Sequence, residues 1–334
     1  MRHSAPLRRF TLAAFCLCLG VVVLGAYVRL TAAGLGCPDW PGCYGHFSPA
    51  TAVEALDPGK AWREMIHRYA ATTVGLLIVG ITAMGIAWRR ERLVPVPYVV
   101  VLLLTVVLQG ALGMLTVTLR LKPLIVTLHL LFGFTTLSLL WWLLLTLARR
   151  RGGVRLETTP AGHGHALSGP VPAAARALAL CALIVLGLQI ALGGWTSSNY
   201  AATACPDFPT CQGSFWPPAD FRGAYVLWHG LGVNDEGGVL AAAARVAIHL
   251  THRFGALLST VALLAAAVTT WRARTDALAK RAATLVVAAL ALQLAIGIFM
   301  VLRGFPLWLA TAHNAGAALL LLAVLALNRA LRPA

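Results

Sequence analysis

Residues 37–43 read CPDWPGC, and residues 205–211 read CPDFPTC. Cys, Pro, Asp, an aromatic, Pro and Cys recur in the same order, 168 residues apart. The surroundings repeat as well. LGAYVRL (24–30) precedes the first heptapeptide and LGGWTSS (192–198) the second, which sets Gly25 against Gly193. Downstream, EMIHRYAATTVGLL (64–77) matches HLTHRFGALLST (249–260), so His67 faces His252 and Arg68 faces Arg253. Further on, LQGALGMLTVTLRLKPLIVTLH (108–129) matches LQLAIGIFMVLRGFPLWLATAH (292–313). Gln109 then pairs with Gln293 and His129 with His313, with 20 residues from Gln to His in both. The offset is 168 at the cysteines but 185 and 184 at the histidines, so the second copy holds an insertion of about 17 residues near GLGVNDEGG (230–238). Apolar helices resemble one another by chance; Cys, His, Arg and Gln matched at matched spacing do not.

The composition fixes the class. Hydrophobic residues make up 59% of the 334-residue chain and charged ones only 11%, against about 25% charged in a soluble domain. Eight apolar runs occur, at 10–30, 62–88, 95–119, 124–148, 174–196, 241–271, 282–302 and 306–328. Each is close to the ~20 residues that cross ~30 Å of hydrocarbon. In lipid each must satisfy its own backbone, so the runs read as helices. The expectation is an all-α integral membrane protein with eight transmembrane helices in two pseudo-symmetric four-helix bundles. Residues 1–148 form the first and 174–334 the second. Each copy holds an even number of spans, so both enter from one side, as in a parallel repeat about an axis along the membrane normal. The stretch 149–173, rich in Gly and Pro, reads as a linker, and its His163 and His165 as solvated loop residues. The first run has basic residues ahead of an apolar stretch, as a signal peptide does. It is repeated in the second copy, so it reads as a retained span.

The net charge of +16 does not point to nucleic acid, because the basic residues lie in short clusters between the runs. The termini and the loops on their side carry 17 of the 27 basic residues against three acidic ones, Glu91, Glu157 and Asp276. The positive-inside rule then places both termini in the cytoplasm of a multi-pass protein.

Ionisable residues within spans are functional candidates by default. His67, His129, His252 and His313 fall in spans two, four, six and eight, all of which run the same way. A lone membrane histidine serves as an interhelical hydrogen-bonding group. Two matched pairs at one depth, on alternate helices, fit axial ligation of a haem iron inside each four-helix bundle. A zinc site would want a third or fourth ligand, and no Cys or carboxylate recurs at the same place in both halves. Glycines 75, 110, 113, 133, 255, 297 and 316 on these helices make room for a planar ligand or for tight helix packing. Arg68 and Arg253 each follow a histidine and could reach haem propionates or snorkel to the interface.

The halves differ at one telling position. Glu64 precedes His67 by three residues, one helical turn, and its counterpart is His249. A carboxylate beside the first haem suits proton movement or stabilisation of positive charge at a reacting carbon; its plain alternative is a helix-start acid favoured by the dipole. The first half therefore reads as catalytic and the second as an electron-transfer partner. On the outer side, Cys37–Cys43 and Cys205–Cys211 are the expected disulfides, each closing a small proline-bent loop above a histidine pair. A redox-active thiol pair is the livelier alternative. Cys16, Cys18 and Cys181 lie within spans and read as small apolar residues.

These residues together resemble the haem A synthase family, integral membrane enzymes of cytochrome oxidase assembly. The resemblance rests on RLTAAGLGCPDWPGCYG (29–45), EMIHR (64–68), TLH (127–129), HLTHR (249–253) and TAH (311–313), and spans nearly the whole chain. It implies two similar four-helix bundles and oxidation of the C8 methyl of haem O to a formyl group through hydroxylated intermediates. By motif it implies Glu64 as the essential glutamate, His67 and His129 as ligands of the substrate haem O, and His252 and His313 as ligands of a haem b cofactor. It also implies a bacterial inner (plasma) membrane location, supply of haem O by a farnesyltransferase, and a separate electron donor. The rival reading is a di-haem b-type electron-transfer protein with no chemistry of its own. His229 and the segment Asn234–Gly238 have no match in the pattern.

Overall fold

The computed structural model describes residues 3–51, 57–156, 171–228, 230, 239–273 and 275–332. Its architecture is eight long helices: α1 (Ser4–Leu30), α2 (Pro58–Ala87), α3 (Val96–Thr118), α4 (Pro123–Leu156), α5 (Ala173–Ser198), α6 (Ala242–Arg272), α7 (Ala277–Leu302) and α8 (Leu307–Ala330). All eight are long and apolar enough to span a bilayer. The sequence sets their starts chemically. Pro58 and Pro123 open α2 and α4, and Pro172 and Pro306 directly precede α5 and α8, where a missing N–H costs nothing. Asp57 caps α2 through the Lys60 amide at 3.0 Å, and Asp276 caps α7 through the Ala279 amide at 2.8 Å.

Several helices begin before the apolar runs that announce them, because their first turns carry polar residues such as Lys60 in α2 and Lys280 in α7. At its other end α4 continues through Gly152 and Gly153 to Leu156, so the first residues of the expected linker are helical. His163, His165, His229 and Asn234–Gly238 lie outside the described residues.

Packing follows the repeat. In the first half α1 lies against α2 and α4, and α3 against α2 and α4; in the second, α5 lies against α6 and α8, and α7 against α6 and α8. Two seams join the halves, α4 on α5 and α8 on α1, with α4 and α8 also touching at the centre. A continuous apolar core runs through both halves and includes Ile78, Leu137, Leu140, Leu263, Val324 and Leu327. Polar groups pin the seams. Asn314 Nδ2 donates to the Val22 carbonyl at 3.1 Å, and Thr127 and Ser198 hydroxyls lie 3.2 Å apart. Arg29 Nη2 donates to Ser197 O at 3.1 Å, and the Trp141 indole to Leu322 O at 3.0 Å. In hydrocarbon such groups must find protein partners, so these bonds fix how the helices meet.

Candidate functional site

The two heptapeptides fold alike. Cys37–Cys43 and Cys205–Cys211 are disulfides, with S–S distances of 2.01 and 1.98 Å. In the first loop the Asp39 carboxylate accepts the Tyr44 and Gly45 amides at 2.6 and 2.8 Å; in the second, Asp207 accepts those of Gln212 and Gly213 at 2.6 and 3.0 Å. The residues so held turn the chain with positive φ, 54° and 76° in one loop and 55° and 75° in the other. Glycine takes the second place at no steric cost. The turn then returns as a single antiparallel bridge, Cys43 to His46 and Cys211 to Ser214. Partial burial pushes the Asp39 carboxyl up, but the Gly45 and Tyr44 amides, its own amide and the Arg68 guanidinium together bring it below the ordinary value. Asp207 is also held low, first by the Thr210 hydroxyl and then by the Gly213 and Gln212 amides.

Each loop is clasped from below by the arginine that follows a histidine. Arg68 Nη1 donates to Asp39 O at 2.9 Å and Gly42 O at 2.5 Å. Arg253 donates to Asp207 O and Thr210 O, both at 2.7 Å. These are the same positions in the repeat. The sequence leaves both arginines between propionates and the interface; here they donate to loop carbonyls, which satisfy the fork of a guanidinium.

Glu64 is buried, 4% exposed, and lies well inside α2, whose N-cap is Asp57. The reading of Glu64 as a helix-start acid therefore does not hold. One carboxylate oxygen accepts the Cys37 amide at 2.8 Å and the other meets Arg68 Nη2 at 2.5 Å. Glu64 thus joins the loop, the arginine and the helix that carries His67. Its counterpart His249 is also buried and places Nδ1 3.1 Å from Ala201 O, a hydrogen bond to the loop.

The histidines sit beneath these loops. His67 and His252 lie nine and ten residues beyond the first residues of α2 and α6; His129 and His313 each lie six beyond those of α4 and α8. Every one of them rests on a glycine of the preceding long helix. A Cβ at Gly25 would come 2.9 Å from His67 Cε1, at Gly113 3.1 Å from His129, at Gly193 3.3 Å from His252 and at Gly297 2.9 Å from His313. His67 and His129 stand on α2 and α4 of the first half, and His252 and His313 on α6 and α8 of the second. Buried Nδ1 atoms of His67, His129 and His313 have no hydrogen-bond partner. Of the other glycines singled out in the sequence, Gly133, Gly255 and Gly316 face glutamines, whereas Gly75 and Gly110 face nothing within 4 Å.

The glutamines were only half visible beforehand. Gln109 and Gln293 stand out by repeat; Gln189 does not, because its counterpart in α1 is Val21. The missed signal is Gln four residues before the glycine, at 109/113, 189/193 and 293/297. Gln189 Nε2 lies 3.1 Å from His252 Nδ1 and 3.0 Å from His252 O. Gln293 Nε2 lies 3.2 Å from His313 Nε2 and 3.1 Å from His313 O. Gln109 Nε2 reaches only His129 Nε2, at 3.4 Å.

Among the described residues no three of His, Cys, Asp and Glu gather to hold a bare metal ion. What the sites offer is paired imidazoles with small residues behind them. The model of a family described as cytochrome oxidase assembly protein matches residues 8–325. The chain belongs to the cytochrome oxidase assembly protein family. It is 41% identical over 320 residues to a haem A synthase of Shewanella oneidensis, covering 92% of this chain and 91% of the relative. It is 27% identical to a haem A synthase of Rhizorhabdus wittichii, with 92% and 89% covered. One of Methylobacterium radiotolerans is 28% identical, with 94% and 86% covered. As a member of the cytochrome oxidase assembly protein family it is a multi-pass membrane protein.

Proposed function

We propose that this chain is a haem A synthase, oxidising the C8 methyl of haem O to a formyl group through hydroxylated intermediates. One observation carries the reading: two histidine pairs, one in each half, every imidazole backed by a glycine and three of them with an unpartnered buried Nδ1. An axial histidine gives one ring nitrogen to the iron, and three of these imidazoles keep a buried ring nitrogen that no protein group has taken. The residues therefore fit haem.

His252 and His313 would hold a resident haem b, which stores and passes electrons when bound. His67 and His129 would hold the iron of the substrate, haem O. Glu64, one turn from His67 toward the loop, is the carboxylate that can hold a proton or balance positive charge developing at the oxidised carbon. Its contacts with Arg68 and the Cys37 amide fix its position. Arg68 and Arg253 act through the loops they clasp, which close the ends of the bundles. Residues 1–148 form the substrate half and 174–334 the cofactor half. The protein sits in the bacterial plasma membrane with its basic face and both termini in the cytoplasm. It takes haem O from a farnesylating enzyme and electrons from a separate donor.

The test is chromatography of haems extracted from cells carrying the wild type or Glu64→Gln. The wild type makes haem A; Glu64→Gln keeps bound haem but accumulates haem O or a hydroxylated intermediate. Wild-type cells that make no haem A would leave only the electron-carrier reading, and wild-type output from Glu64→Gln would remove the glutamate from the chemistry.

A further inference from the structure

The four helix hairpins are variations on one design, and one of them lacks a part. In each, a glycine on the first helix seats a histidine on the second. In α3, α5 and α7 a glutamine stands four residues before that glycine; in α1 the position holds Val21. The second helix contributes as well. Gly255 and Gly316 follow their histidines by three residues, and a Cβ at either would overlap the Oε1 of Gln189 or Gln293. The bare backbone is what lets the carboxamide lie against the helix and reach the histidine carbonyl. In the first half Gly133 stands four residues after His129 instead of three, with Phe132 before it, and Gln109 reaches only the ring. After His67 the position is Ala70, and the buried Nδ1 of His67 has no hydrogen-bond partner among the described residues. The histidines thus fall in a series: His252 and His313 are held at ring and carbonyl, His129 at the ring alone, and His67 at neither.

We propose that the glutamine–glycine clasps are the retention device of the second half, and that Val21 and Ala70 leave His67 unclasped so that the haem in the first half can be exchanged. A clasp fixes the ring and the spacing between two helices, so a ligand that dissociates from iron stays in place to rebind. The carboxamides of Gln189 and Gln293 also bring a buried, unpartnered Oε1 against the helix that carries the imidazole. His67 has no such group, and its imidazole is free to turn away. This rests on the haem-ligand reading above and deepens it. A cofactor must stay through many turnovers, whereas a substrate must arrive and its product leave through the same pair of ligands.

The experiment measures haem transfer from the purified full-length protein to excess apomyoglobin, with the absorption spectrum recorded alongside. Gln189→Val and Gln293→Val should each speed release from the second half by about three- to twentyfold, the range expected for an interhelical hydrogen bond within a membrane. Each should also raise the high-spin fraction. Gly255→Ala, which displaces the Gln189 carboxamide without removing it, should act in the same direction. Installing the clasp with Val21→Gln and Ala70→Gly, in a His252→Ala background that isolates the first half, should slow release there. Unchanged transfer rates and spectra in both glutamine variants would overturn the proposal. So would a lowered thermal midpoint with unchanged transfer, which assigns the glutamines to helix packing alone. Should His313→Ala still hold a normal low-spin haem, the ligand assignment itself fails, a result distinct from either.

Discussion

Asp39 and Asp207 hold equivalent turns, and Arg68 and Arg253 grip equivalent carbonyls. Beneath this shared lid the halves part. Three residues before the histidine one has Glu64 and the other His249, and four before the seating glycine one has Val21 and the other Gln189. The loops are alike in both halves; the surroundings of the histidines are not. Differences concentrated where a bound haem would be touched, with the supporting frame left alike, are what two unlike tasks on one scaffold require.

The largest expected effect separates the histidine pairs. His252→Ala or His313→Ala should empty the purified protein of its resident haem spectrum. His67→Ala or His129→Ala should keep that spectrum yet stop haem A production, as read by haem extraction. Equal loss of spectrum from all four would erase the distinction between the halves. Next, Glu64→His, which gives the first half the residue of the second, should lower haem A output by about 10²–10³-fold, the usual cost of removing one transition-state group. The reciprocal His249→Glu should leave output far less altered.

The arginine clasps give a smaller effect on stability. Arg68→Ala should cost more than Arg253→Ala, because it strips a buried carboxylate of its ion-pair partner as well as freeing loop carbonyls. Breaking one member of a buried pair costs about 3–5 kcal/mol, whereas losing a hydrogen bond to a charged group costs about 1.5–3 kcal/mol. Thermal midpoints of the two variants check the order. Smallest is a pH effect on the loops. The Asp39 and Asp207 carboxyls lie below the ordinary aspartate value in the folded protein. Their contribution is therefore complete above about pH 4 and lost as pH falls through the depressed folded values. Reduction of the two disulfides by a water-soluble phosphine should speed up on acidification, and Asp39→Asn and Asp207→Asn should each flatten that dependence in their own loop.

Much of this was legible in the sequence because the repeat acts as an internal alignment. Cysteines, histidines and arginines at matched spacing located the loops and the ligand candidates, and the apolar runs located the spans. Helix ends were harder to read, since α4 runs on through two glycines where composition signals a linker. The hydrogen bonds of Arg68 could not be read from sequence, because only the path of the loop brings the Asp39 and Gly42 carbonyls within its reach. Gln189 escaped because repeat alignment sets it against Val21. A lost residue hides a pattern better than a substitution that keeps its chemistry. The glutamines emerge when hairpins, rather than halves, are compared.

The seams carry a final consequence. Asn314 of α8 reaches Val22 of α1, and at the other seam Leu130 of α4, the counterpart of Asn314, lies against Gly194 of α5. The surfaces that join the halves are thus related in the same way as the halves themselves, and a polypeptide of one half could mate with a second copy of itself along them. Such a homodimer would always own two identical chambers. With both halves in one chain, every molecule carries one of each, and their differences never depend on chance pairing between two diverging subunits.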